Sequence, residues 1–260
     1  MPKEPSDSLK KLLASTRPEE IRQGLELVKK EISQATSAKR ESLLEMLSAL
    51  FYIDPLDEPD LVPLVDEAIS IVAQFGVSII PLLVQKLDAG DMKAQIAVAH
   101  ALGRIGADAV KPLMLEYESS EDPARRSFIL YALGKIKSPK VVAAFSLALE
   151  AAQSASLELR DTATRALGKF AESVPPSQLP EQDRRLCVER LQKNLADTNP
   201  GIRSKAVRSL GKFAKYKHLS MDERRQLKST CLLILGKDEN FEWDRAYVVR
   251  KEAEEALNYT

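Results

Sequence analysis

Catalysis needs side chains that move protons, attack carbon or hold a metal, and this 260-residue chain is short of them. It carries two histidines, His100 and His218, and two cysteines, Cys187 and Cys231. None of the four falls at a spacing that metal ligation uses. No glycine-rich phosphate loop or nucleophile elbow is present. A free thiol behaves as a small hydrophobe, so both cysteines read as buried packing. The expectation is no catalytic residue, no cofactor and no metal, and a non-catalytic role is favoured over an enzymatic one.

Groups suited to recognition are more plentiful, and they recur. Arg126, Arg160, Arg203 and Arg250 occupy one equivalent position of successive helices, and Asp122, Asp197 and Asp244 lie four to six residues before three of them. Pairing of each arginine to an aspartate or carbonyl in the adjacent turn is favoured over an exposed anion-binding ladder, because buried charges persist when paired. Five positions after this column come Tyr131, Arg165, Arg208 and Glu255, with His100 one unit earlier. Phe128 lies near Tyr131, and Lys205 near Arg208. On a helical wheel these residues point away from the Ala/Leu packing face. Aromatic and arginine side chains anchor many protein interfaces. Phe128 and Tyr131 are therefore candidate apolar anchors, and Arg165, Lys205 and Arg208 candidate charged contacts. The competing reading packs Phe128 on a neighbouring helix and leaves the rest as a solvated face.

The elements that must position them are helices. Leu occurs 36 times and Ala 30 times against 10 glycines, and apolar residues recur at three- and four-residue steps, as in Val98, Leu102 and Ile105. Strand and hairpin patterns are lacking. Four segments end almost alike: Ala101-Leu102-Gly103-Arg104-Ile105, Ala132-Leu133-Gly134-Lys135-Ile136, Ala166-Leu167-Gly168-Lys169-Phe170 and Ser209-Leu210-Gly211-Lys212-Phe213. A weaker fifth copy closes the chain at Val249 to Leu257. Pro81 and Pro112 suit early helical turns, and Asp91, Asp122 and Asn199 suit the caps of second helices. Each unit thus reads as helix A, turn, helix B, with units at 77–106, 107–137, 138–174, 180–217 and 220–260. Ahead of them, Pro18–Ala35, Lys39–Tyr52 and Asp60–Phe75 read as three less regular helices. One helical hairpin cannot bury its own apolar face, so the units must stack, giving a single domain over 1–260. The four repeated glycines are explained by helix ends or close helix contact.

These repeated segments resemble the HEAT-repeat superfamily, especially its short bacterial and archaeal type, first noted in phycobilin lyases. The resemblance covers about residues 77–257. It implies an all-α, right-handed solenoid of stacked helix-turn-helix repeats whose B helices line a concave surface, with an Asp–Arg ladder between repeats. It implies little about function, since such arrays serve many roles. The His-Glu pairs of the metal-binding hydroxylases of this class are absent.

Charge adds one more signal. Lys plus Arg and Asp plus Glu both number 38, so net charge is zero, yet eight acids and no base fall between Glu41 and Gln85. Nine bases against two acids fall between Pro200 and Thr230. This asymmetry suits a partner with complementary patches or head-to-tail self-association. Phe241, Trp243, Asp244 and Tyr247 cluster beside the basic run and read as capping of a terminal repeat. The main expectation is a non-catalytic protein-binding scaffold or adaptor acting through the B-helix surface, in which reversing Arg165 and Arg208 together weakens binding without altering melting. The alternatives are a phycobilin-lyase-like or HEAT-like DNA glycosylase enzyme, or nucleic-acid binding by the basic repeats, which is less favoured. No apolar stretch is long enough to span a bilayer, and Met1 to Asp7 lacks a signal core, so a cytoplasmic, membrane-free location is expected.

Overall fold

Local chemistry starts several helices where the sequence predicts. The computed structural model describes residues 5–88, 90–237 and 242–260. Before the repeats lie α1 (Pro5–Leu13), α2 (Pro18–Glu31), α3 (Ser37–Ser48) and α4 (Val62–Gln74). The first of these was not expected, because its apolar positions span little more than two turns. The repeats follow as pairs: α5 (Ile80–Gln85) with α6 (Met92–Ile105), α7 (Val110–Ser119) with α8 (Pro123–Leu133), and α9 (Phe145–Ala151) with α10 (Leu157–Ser173). Two longer pairs close the chain: α11 (Glu181–Asn194) with α12 (Pro200–Lys215), and α13 (Met221–Ile234) with α14 (Tyr247–Leu257). Asp91, Asp122 and Asn199 cap α6, α8 and α12 through their side chains, and Ser156 does so for α10. Pro81 stands in the first turn of α5, where a missing N–H is harmless.

The packing divides the chain into two units, 1–116 and 117–260, with the division inside α7. In the first, α2 packs on α1, α4 on α2 and α6 on α4. In the second, the B helices α8, α10, α12 and α14 lie side by side in that order, and α9, α11 and α13 back α10, α12 and α14. Phe145, Phe170 and Phe213 are fully buried between these layers, each worth roughly 1.5–3 kcal/mol in transfer from water. Phe145 and Phe170 meet edge to face with centroids 5.4 Å apart.

Small residues set the spacing of the B helices. A Cβ at Gly168 would fall 2.8 Å from the Ser209 Cα and 2.5 Å from its Oγ. One at Gly211 would fall 3.1 Å from the Ala256 Cβ. Gly134 caps the C-terminus of α8. So one glycine ends a helix, and two serve as close approaches inside helices. Polar groups buried at the same level are satisfied: Ser209 Oγ donates to the Thr164 carbonyl at 2.8 Å, and Asn194 Nδ2 donates to Thr164 Oγ1 at 2.8 Å and to the Ala152 carbonyl at 3.0 Å.

Candidate functional site

The arginine column turns inward. The Nη1 of Arg160, Arg203 and Arg250 each donates to carbonyls five and six residues earlier, at 2.6 Å to Ser154, 2.9 Å to Asp197 and 2.6 Å to Asp244. The remaining donors reach one repeat ahead. Arg160 Nε meets Asp197 Oδ2 at 2.9 Å, and Arg203 grips Asp244 bidentately at 2.7 and 2.9 Å. Asp197 and Asp244 thus serve the arginine of the preceding unit with their carboxylates and that of their own unit with their carbonyls. Arg126 departs from the rung pattern: its guanidinium lies 4.9 Å from the Tyr117 ring centroid and its Nε donates to the Tyr117 carbonyl, while Asp122 caps α8.

Further round the B helices of the second unit, the outward residues divide into two groups. Lys205 is held by Asp161 and Arg208 by Glu252, which is only 6% exposed. The sequence reading makes both available to a partner; their ammonium and fork are instead spent inside the repeat stack. Reversal of Arg208 would place a second carboxylate beside a buried one, so the expectation of unchanged melting does not hold. Phe128 is partly buried. Tyr131 is different. Lys135 Nζ, in the turn just after α8, lies 4.6 Å from its ring centroid, and the Arg165 guanidinium on α10 lies 5.7 Å away. Neither cation enters an ion pair among the described residues.

Beside this stack Lys169 lines both a shallow cleft under Tyr131 and an open pocket of about 370 Å³ between α10, α12 and α14. The pocket also presents Arg208, Lys212, Lys215 and Tyr259. Lys215 Nζ sits 4.9 Å from the Tyr259 ring. At its edge Glu172 accepts from Lys137 at 2.5 Å, Lys212 at 2.6 Å and Lys169 at 3.3 Å. Burial alone would raise the Glu172 carboxyl; the three ammonium groups overcome it and hold the pKa at about 2. Lys212 moves down as well, to about 8. Burial is the main cause, and Lys169 adds to it against Glu172. One carboxylate shared by three cations gains more than each of them does.

Glu172 therefore contributes stability that is complete above the unfolded value of about 4.5 and is lost as pH falls through about 2. Thermal melts at pH 5 and pH 2.5 should show a smaller acid-induced drop for Glu172→Gln than for the wild type. An equal drop would remove Glu172 from the acid response.

The sequence-level candidates for other chemistry are elsewhere engaged. Burial pushes the Cys187 thiol to about 12 and that of Cys231 to about 11, so neither is a thiolate at neutral pH. His218 is buried with Nε2 2.9 Å from the Ala171 carbonyl. Trp243 and Tyr247 are exposed, but Asp244 is committed to Arg203; Phe241 lies outside the described residues. Among the described residues no group of three or more His, Cys, Asp or Glu could hold a metal, and no single helix is long and apolar enough to cross a membrane.

Residues 80–167 match the family model described as HEAT repeats. HEAT repeats are therefore shown over that third of the chain. Three solved structures illustrate its fold. Kap121p bound to Pho4p has a TM-score of 0.61 at 14% identity, over 98% of this chain and 29% of that one. The complex of CpcE and CpcF of phycocyanin lyase from Nostoc sp. PCC7120 has a TM-score of 0.55 at 19% identity, over 69% and 98%. A designed armadillo repeat protein has a TM-score of 0.50 at 16% identity, over 96% and 98%. At such identities the likeness shows the fold, an all-α solenoid, and nothing finer. No curated protein matches the chain in sequence.

Proposed function

We propose that this HEAT-repeat chain is a non-catalytic scaffold that binds another protein through the B-helix face of residues 117–260, and that the bound segment is acidic. The Lys135–Tyr131–Arg165 stack carries the reading. It is two cations on one ring, partly exposed and without carboxylate partners among the described residues. A partly exposed ring flanked by two cations offers a carboxylate and an apolar side chain adjoining contacts. Kap121p bound to Pho4p and the CpcE–CpcF complex support it in one respect: each is a protein of this fold with a protein partner. Glu172, Glu252 and Glu255 line the neighbouring pocket.

The test is affinity capture from native lysate by wild type and by Lys135→Glu/Arg165→Glu, followed by titration of the captured protein. Wild type should retain a partner whose affinity falls at least tenfold in the double variant, with melting unchanged, since both side chains are surface cations outside the ladder. Equal affinity for the two proteins would exclude this face.

A further inference from the structure

In the first unit, α4 and α6 and the segment before α4 enclose an open apolar pocket of about 250 Å³, floored by Phe51, Ile53, Val62, Val65, Ile69 and Ile96. Large apolar side chains in the lining and next to it in sequence are exposed. Val62 is 41% exposed, Tyr52 54% and Leu56, next to the lining Pro55, 89%. An apolar pocket with part of its lining exposed is the usual form of a docking site.

The rim is acidic, and its cations are already engaged. Lys93 Nζ binds Asp54 Oδ2 at 2.7 Å. Arg104 donates to the Asp66 carbonyl at 2.7 Å and to Ser70 Oγ at 2.6 Å, and also meets the Asp66 carboxylate. Asp54 also fixes the loop, accepting from the Leu56 N–H at 2.9 Å. That leaves Asp57, Glu58 and Asp60, all exposed and with no ion pair among the described residues, on the loop that borders the pocket. These are the middle of the acid-rich run from Glu41 to Gln85.

We infer that this pocket docks a cationic peptide segment: a large aliphatic or aromatic side chain enters it, and flanking Lys or Arg residues meet Asp57, Glu58 and Asp60. The apolar floor supplies affinity and the acids supply selection for charge. The site is independent of the Tyr131 face and would recognise the opposite charge.

Fluorescence anisotropy of the full chain with fluorescein-labelled Lys-Lys-Leu-Leu-Lys-Lys tests it, against the same peptide with Ser-Ser at its centre. The leucine peptide should bind at least tenfold more tightly. Val62→Glu should weaken it at least tenfold although the variant adds negative charge. Val62 is in the first turn of α4, where a carboxylate suits the helix dipole, so the variant folds. Asp57→Lys/Asp60→Lys should also weaken binding at least tenfold and flatten its salt dependence. Lys135→Glu/Arg165→Glu should bind the leucine peptide like wild type, which separates this site from the one proposed above. Equal binding of the two peptides, or undiminished binding to Val62→Glu, would overturn the inference. So would a concentration-dependent dimer in sedimentation that Val62→Glu abolishes, since the face would then belong to a second copy of the chain.

Discussion

Gly168→Val should lower the melting temperature by roughly 10 °C. A Cβ there falls 2.8 Å from the Ser209 Cα, so the obstacle is backbone as well as side chain, and α10 and α12 must separate. Overpacking of this kind costs about 3 kcal/mol or more, which exceeds the roughly 1 kcal/mol that a helix gains when glycine is replaced. For a unit of this size that loss corresponds to the stated shift. The neighbours grade the effect. Gly211→Ala meets a side-chain methyl at 3.1 Å and should cost under about 1 kcal/mol, and Gly134→Ala meets nothing closer than 3.4 Å and should be near neutral. Ser209→Gly should restore only part of the loss in Gly168→Val, because the main chain at position 209 still stands in the way. Differential scanning calorimetry of the series decides: a flat series would mean that helix spacing is not set at Gly168.

Arg203→Ala should cost about 3 kcal/mol in urea unfolding at pH 7. It removes both bonds to Asp244, leaves that carboxylate 12% exposed, and frees the carbonyls of Asp197 and Thr198. Arg203→Lys should recover little, because an ammonium cannot reproduce the planar fork. The Arg203 hydrogen bonds hold Asp244 below the usual carboxylate range. A depressed carboxyl contributes stability above its unfolded pKa and loses it as pH falls. The difference between wild type and Arg203→Ala should therefore narrow below about pH 4. A difference constant from pH 7 to pH 3 would show that the loss is packing and not charge.

Much of the architecture was legible because it rests on local rules applied repeatedly. Asp91, Asp122 and Asn199 cap helices for reasons contained within four residues, and the Ala-Leu-Gly-Lys segments mark the B helices for the same reason. The counterions were not legible in that way. Arg208 and Glu252 are 44 residues apart, as are Lys205 and Asp161, and Arg203 and Asp244 are 41 apart. Each separation is about one repeat in the longer units. Opposite charges spaced by one repeat on adjoining B helices were the available signal, and pairing within a single turn hid it. The apolar pocket of the first unit was hidden for another reason. Phe51, Val65 and Ile96 come from three separate elements without a shared sequence pattern, and only the acid run beside them stood out.

The rungs Arg160–Asp197 and Arg203–Asp244 each fasten a turn to the helix pair directly ahead and to nothing more distant. Mechanical load or thermal opening is then transmitted stepwise from one helix pair to the next. Amide exchange along α10, α12 and α14 should accordingly change by increments the size of a single rung.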